Sequence, residues 1–322
     1  MRFMPSEFDL IQRHFSRTAQ NAVLGVGDDC ALLQPGTGMQ LAVSTDTLVA
    51  DVHFFADADP QKLGWKCLAV NLSDLAAMGA TPRWATLALT LPEVDDDWLA
   101  AFASGLYDCA NQFGVSLVGG DTTHGALSLT LTIIGEVPPN QALRRDGARP
   151  GDEIWVSGTL GDAALALAAL QGRVNLTDAD LATLAARLHT PAPRIELGLA
   201  LRGLASSAID VSDGLLADLG HILSRSGVGA VVEYAHLPLG EILHDYTAHP
   251  AFDDCVLSGG DDYELCFTAP AAQHQALDQI AARLNLRLTA IGSILAEPGL
   301  IVRDAQGQPL DIRRTGYDHF AA

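Results

Sequence analysis

An α+β fold in two domains is predicted by three observations. The chain has 322 residues, more than one domain of roughly 100–200 residues accounts for. Segments with strand-like alternation and segments with helix-like spacing mix without strict succession, which favours α+β over one doubly wound sheet. A stretch dense in charge and turn residues, Arg144-Arg-Asp-Gly-Ala-Arg-Pro-Gly-Asp152, interrupts the pattern and divides the chain into 1–145 and 146–322.

The elements follow in order. Glu7 to Phe15 has helical spacing, and a glycine-rich stretch, Gly25-Val-Gly-Asp-Asp29, comes after it. Leu41-Ala-Val-Ser44 reads as a strand that ends in the polar Thr45-Asp46-Thr47. Pro60 to Met78 is helical, because Leu63, Cys67 and Val70 recur on one face. Trp84 to Leu91 alternates as a strand, and Asp95-Asp-Asp-Trp98 opens a helix to about Phe113, its acids favoured by the helix dipole. Val115 to Val118 and Leu127 to Val137 read as strands. Past the boundary, Glu153 to Val156 is a strand, and Asp162 to Leu170, Leu181 to Leu188 and Arg194 to Leu204 are helices. Ala208 to Val211, Leu215 to Ser224 and Ala230 to Tyr234 give strand, helix, strand. Tyr263 to Thr268, Gln273 to Leu284 and Leu288 to Ile291 repeat that order.

Composition narrows the function. With 48% hydrophobic residues the chain can bury a core, which excludes disorder as its main state. The longest purely apolar run, Ala163 to Leu170, falls far short of the roughly 20 residues that cross a bilayer, and Met1 to Phe8 lacks a signal-like apolar stretch. Five cysteines without a C-x-x-C pair fit a reducing compartment, so a cytoplasmic location is expected. The formal net charge of −20 argues against a nucleic-acid partner. Lys62 and Lys66 are the only lysines, and neither follows a glycine-rich loop, so P-loop and protein-kinase machinery are both missing. If phosphates are handled, metal ions must supply the positive charge.

The acids point the same way. Asp28 and Asp29 follow Gly27, Asp46 follows Ser44-Thr45, and Asp121 follows Gly119-Gly120. Asp210 and Asp213 flank Ser212, and Asp261 and Asp262 follow Gly259-Gly260. Carboxylates grouped with hydroxyls and glycine backbone suit a hard cation such as magnesium. Asp74 extends the stripe Leu63, Cys67, Val70, and a buried carboxylate needs a metal or a partner such as arginine. Plainer readings exist: Asp28 or Asp29 can form an Asx-turn, and Asp213 can cap the helix at Leu215.

At these residues the sequence resembles the thiamine-monophosphate kinase family of the PurM-like ATP-binding superfamily. The matching segments are Gly25-Val-Gly-Asp-Asp-Cys-Ala-Leu-Leu, Ser44-Thr-Asp-Thr-Leu-Val, His53-Phe, Asn71-Leu-Ser-Asp-Leu-Ala-Ala-Met-Gly-Ala80 and Leu117-Val-Gly-Gly-Asp-Thr-Thr. The C-terminal half adds Ala208-Ile-Asp-Val-Ser-Asp-Gly-Leu215, Ser258-Gly-Gly-Asp-Asp-Tyr-Glu-Leu265 and Gly316-Tyr-Asp-His-Phe320. The resemblance implies a PurM-like architecture: an N-terminal α/β domain with a mixed sheet that forms a homodimer, and a C-terminal α+β domain. It implies transfer of the ATP γ-phosphoryl to thiamine monophosphate with several Mg2+ ions. By motif position, Asp28, Ser44, Thr45, Asp46, Asp74, Asp121, Asp210 and Asp213 correspond to metal ligands, with Asp46, Asp121 and Asp213 central to catalysis. Gly120, Asp121, Arg145 and Ser212 correspond to ATP contacts. His53, Asp261 and Tyr317 correspond to contacts with the thiamine phosphate. The family usually has glutamate at the position of Asp261; the shorter acid reaches less far, and Asp262 and Glu264 stand beside it. Another PurM-like ATP-dependent enzyme, or a magnesium-dependent phosphohydrolase with the same carboxylates, is the alternative reading.

Overall fold

Alternating burial along Gln40–Val49 and Ser128–Val137 sets the frame of the first unit. The computed structural model describes residues 6–312 and 316–317, so Asp318-His319-Phe320 of the last motif lie outside the described residues. The chain divides into two units, one holding the described residues up to Leu75 with Ala80–Asn140, the other Ala76–Gly79 and the residues from Gln141 onward.

In the first unit α1 (Glu7–Leu10) continues as a π turn over Ile11–Phe15. The sheet contains β1 (Gln40–Val49), β2 (Thr81–Leu91), β3 (Ser116–His124) and β4 (Ser128–Val137) in the order β1-β4-β2-β3. Only the β2–β3 pair is parallel, so the sheet is mixed. Leu129, Leu131 and Ile133 of β4 are fully buried, as are Leu72 on α2 (Pro60–Ala77) and Phe102 on α3 (Asp96–Phe113). Asp95 caps α3 through the N–H groups of Asp97 and Trp98, and Gly114 ends it in the left-handed region.

Two strands outrun their expected ends. The run Thr45-Asp46-Thr47 continues β1, because Thr45 and Thr47 pair with Thr132 and Thr130 of β4 through hydroxyl contacts of 2.8 and 2.9 Å. Polarity there marks an open sheet face. Gly119-Gly120-Asp121 lies inside β3, where the register against β2 shifts between Ala85 and Thr86. Gly120, at φ +155°, lets that bulge close: a Cβ would fall 1.9 Å from the Leu87 carbonyl oxygen.

The second unit has a six-stranded sheet, β10-β7-β9-β5-β8-β6, built from β5 (Asp152–Ser157), β6 (Ser207–Asp210), β7 (Gly229–Glu233), β8 (Leu265–Pro270), β9 (Leu288–Leu295) and β10 (Gly299–Arg303). All pairs but β10–β7 are antiparallel. Its core joins Ile154 and Val156 to Ala163 and Ala166 of α4 (Asp162–Leu170) and Leu219 and Ile222 of α7 (Leu215–Ser226). The expected helix from Arg194 to Leu204 is shorter: α6 spans Ile195–Ala200, with turns to Leu204, following α5 (Asp178–His189). Sequence spacing missed α8 (Glu241–His244), the π turn Asp254–Ser258 and β10; α9 (His274–Leu284) lies where expected. The α+β expectation holds in both units. Among the described residues, no helix is long and apolar enough to cross a membrane.

Candidate functional site

In the first unit the period of two along β1 sorts the polar triplet. Thr45 is exposed on the open face, whereas Ser44 and Asp46 stand half-buried opposite Ile133 and Leu131. Ser44 donates its hydroxyl to Asp74 Oδ2 on α2 at 2.5 Å. Asp74 is thus half-buried and hydroxyl-bound, its position on the stripe explained by a partner on β1. Asp46 acts on Cys67 of the same helix: burial pushes that thiol up to about 12, and the Asp46 charge adds to the effect. The polar groups that β1 and α2 bring together here, the Ser44 hydroxyl and the Asp74 carboxylate, are oxygen donors. That donor set fits a hard cation such as magnesium. Among the described residues, no group of three or more His, Cys, Asp or Glu side chains is gathered tightly enough to hold a metal.

The remaining residues of this unit stand apart. Asp28 is exposed in the segment before β1, and Asp121 is exposed on β3, in register with Ala88. His53 lies in the turn after β1, where the Val49 N–H donates to its Nδ1 at 3.0 Å. That bond puts the proton of the neutral ring on Nε2, the tautomer able to donate to an anion.

In the second unit two distant segments converge on one loop. Asp210 ends β6 and is buried, and Ser212 and Asp213 follow it half-buried. The Asp261 N–H donates to the Ser212 carbonyl at 2.9 Å, and the Tyr317 N–H donates to the Asp213 carbonyl at 3.0 Å. The Tyr263 N–H reaches the Val211 carbonyl at 2.8 Å. Asp261 and Tyr263 both take positive φ, 67° and 49°, so the segment kinks twice to follow the loop. At Gly260 a Cβ would meet the Ser212 carbonyl oxygen at 2.2 Å, and only glycine fits there. Ser212, Asp213, Asp261 and Tyr317 are therefore brought together. Arg145 has an exposed side chain, and its carbonyl accepts the Ser226 hydroxyl at 2.9 Å.

Asp213 does not cap α7. Gly214 holds the cap position, and Asp218, a residue that sequence reasoning passed over, turns back onto the loop. Its Oδ2 accepts the N–H groups of Ser212, Asp213 and Gly214 at 3.0, 3.1 and 3.1 Å. Burial pushes the Asp218 carboxyl up to about 7, the neighbouring Asp213 charge adds to this, and the three N–H groups oppose it. The available signal was an acid at the fourth position of a helix otherwise apolar at Leu215, Leu216 and Leu219.

The two acids beside Asp261 are structural. The Asp262 side chain accepts the Gly161 N–H at 3.0 and 3.1 Å, and burial pushes its carboxyl well above the ordinary range. Glu264 is fully buried, accepting from Ser157 at 2.6 Å, from Arg187 at 2.6 Å and from Arg194. Burial raises that carboxyl, but the guanidiniums of Arg194 and Arg187 outweigh it and hold the group below its ordinary value.

Comparisons with known proteins show the family of the chain. The profile of the AIR synthase related protein N-terminal domain matches residues 27–137, and that of the C-terminal domain matches residues 149–305. The chain is 51% identical over 321 residues to the thiamine-monophosphate kinase of Escherichia coli O157:H7, covering 98% of each. It is 33% identical to the thiamine-monophosphate kinase of Bacillus subtilis strain 168, covering 98% of this chain and 99% of that one. Among solved structures, the thiamine-monophosphate kinase of Stenotrophomonas maltophilia K279a is 52% identical with a TM-score of 0.84, over 90% of this chain and 93% of that one. A structure of AaThiL complexed with AMPPCP and TMP is 30% identical with a TM-score of 0.79, over 89% of each chain.

Proposed function

The chain belongs to the thiamine-monophosphate kinase family, and on that premise we propose that it transfers the γ-phosphoryl of ATP to thiamine monophosphate by direct in-line attack, yielding thiamine diphosphate and ADP. It is an ATP-dependent phosphotransferase. The observation that carries the residue assignment is the convergence of Ser212-Asp213, Asp261 and Tyr317 through backbone hydrogen bonds.

The acceptor is a phosphate already substantially ionised near neutral pH, so its oxygen needs no strong general base. The carboxylates accordingly serve as holders of charge and position. In the first unit Asp28, Ser44, Thr45, Asp46, Asp74 and Asp121, and in the second Asp210 and Asp213, would hold several magnesium ions. Bound magnesium neutralises phosphate charge on an otherwise acidic protein. Gly120, Asp121 and Ser212 contact ATP, and Arg145 supplies a planar, permanently charged fork for its phosphates. His53 donates from Nε2 to the thiamine phosphate. Asp261 faces the cationic thiazolium, and Tyr317, 48% exposed, offers its ring to that cation. Residues 1–145 carry most of the proposed metal ligands and the dimer surface, and residues 146–322 add further metal, ATP and thiamine phosphate contacts.

The same reading includes a homodimer formed through the four-stranded sheet. Leu41 and Val43 on edge strand β1 are 47% and 60% exposed, an apolar edge that a second copy would cover. The cytoplasm is the proposed location; among the described residues the five cysteines are free thiols.

The test is an assay with ATP and magnesium, with and without thiamine monophosphate, in which nucleotide and thiamine products are both quantified. Stoichiometric ADP and thiamine diphosphate, dependent on metal and acceptor, is the expected result. ADP and free phosphate without thiamine diphosphate would move the reading to hydrolysis.

A further inference from the structure

The loop between β6 and α7 has an unusual division of its backbone groups. Three consecutive N–H donors, those of Ser212, Asp213 and Gly214, turn to the single buried oxygen Asp218 Oδ2 at 3.0–3.1 Å. The carbonyls of the first two residues turn the other way, to the N–H groups of Asp261 and Tyr317. Asp218 is itself held on α7, its own N–H bonded to the Gly214 carbonyl at 3.0 Å. Its neighbours Leu215 and Leu219 are fully buried in the core of the unit. One carboxylate oxygen thus gathers the N–H groups of a loop without a regular ladder of its own.

We infer that Asp218 is a positioning residue of the phosphoryl-transfer site, fixing the orientation of Ser212 and Asp213 and, through their carbonyls, the segments carrying Asp261 and Tyr317. This rests on the assignment of Ser212 to ATP and Asp213 to metal. A hydroxyl or amide could replace an N-terminal cap, but three N–H groups on one oxygen call for an acceptor with the lone pairs and charge of a carboxylate. Removing it leaves three orphaned donors beneath the loop, which then rotates to find solvent.

The experiment compares the parent chain with Asp218→Ala, Asp218→Asn and a control, Leu219→Ala, which loosens the same helix without touching the loop. AMPPCP in excess magnesium is titrated calorimetrically, and kinase kinetics are measured at varied ATP. Asp218→Ala should weaken nucleotide binding by about tenfold or more, with the loss in kcat/KM for ATP at least as large. Asp218→Asn, which keeps one neutral acceptor oxygen, should fall between, about threefold weaker than the parent. Leu219→Ala should lower the melting midpoint while binding AMPPCP within about twofold of the parent. If Asp218→Ala binds like the parent, or if Leu219→Ala loses as much affinity, the inference is overturned. Should Asp218→Ala fail to fold, Asp218→Asn decides alone: affinity equal to the parent overturns the inference, and a weakening of about threefold supports it. A parent that binds AMPPCP in an Asp218-dependent way yet makes no thiamine diphosphate sinks the proposed reaction and leaves this inference standing. A parent that binds no nucleotide overturns both.

Discussion

Replacing Glu264 by glutamine separates structure from substrate contact in the second unit. Glutamine conserves volume and can keep the bond from Ser157, so no cavity opens and only the negative charge disappears. Arg187 and Arg194 are then left without their shared carboxylate. Removing one member of a buried ion pair costs about 3–5 kcal/mol. The two guanidiniums keep 30% and 18% side-chain exposure, so water recovers part of the loss and the low end, about 3 kcal/mol, applies. For a unit of roughly 150–250 residues each kcal/mol moves the melting midpoint by about 2–4 °C, so Glu264→Gln should melt about 6–12 °C below the parent at pH 7. The difference also has a pH signature. The Glu264 carboxyl lies below its ordinary 4.5 in the folded chain, so its stabilisation is complete above that value and is lost as pH falls through the folded one. The gap between parent and variant should therefore stay constant down to about pH 5 and narrow below it. Calorimetric melting across pH, with KM for thiamine monophosphate measured on the folded variant, is the assay. A midpoint within about 2 °C of the parent, coupled to a raised KM, would refute the structural role and make Glu264 a substrate residue.

Other expectations are equally direct. Gly120→Ala forces a methyl to 1.9 Å from the Leu87 carbonyl at a positive φ, so the β2–β3 pair should weaken by about 1–3 kcal/mol or more; amide exchange along β3 reads this. Burial pushes the Asp162 carboxyl up, and among the described residues its Oδ1 has no hydrogen-bond partner. A raised folded value penalises the charged form, so Asp162→Asn should raise the melting midpoint at pH 7, with the advantage vanishing as acid neutralises the parent. Val43→Glu should change monomer stability by less than about 0.5 kcal/mol, yet convert the proposed dimer to monomer in sedimentation. Gly260→Ala should raise KM for both ATP and thiamine monophosphate, since its methyl would strike the Ser212 carbonyl, whereas Asp261→Asn should raise only the second.

Much of the fold was legible because periodicity reports burial: α3 and α7 bury one apolar face, and α2 and α4 are buried along most of their length. What failed to show was pairing. Thr45-Asp46-Thr47 looked like the end of a strand, because hydroxyl pairs with Thr130 and Thr132 are invisible until β4 lies alongside. Gly119-Gly120 looked like a turn, because a bulge and a turn use the same glycine chemistry. The acids of the site were legible as a repeated acid-plus-glycine pattern, and their individual roles came from resemblance to a family. Nothing local marked Glu264 as buried, since Arg194 and Arg187 lie 70 and 77 positions away. Nor could side-chain patterns reveal that Asp261 and Tyr317 reach the Ser212 loop, because backbone N–H groups make both contacts.

That difference in legibility reflects two ways of placing an acid. Ser44, Asp46 and Asp74 sit on a strand and a helix, where the regular ladder orients each side chain and replacing one leaves the others in register. Ser212 and Asp213 sit on a loop whose N–H groups belong to Asp218 and whose carbonyls belong to Asp261 and Tyr317. There each residue is held by the next, so a displacement of the loop reaches the proposed nucleotide contact and the proposed substrate contacts together. Chemistry that must align a donor phosphate with an acceptor phosphate gains from such coupling, because a small misplacement of either reactant costs rate steeply. The strand-borne acids supply a fixed reference within the first unit. The second unit instead ties its proposed reactant contacts to one buried carboxylate, and so makes their alignment depend on the single side chain of Asp218.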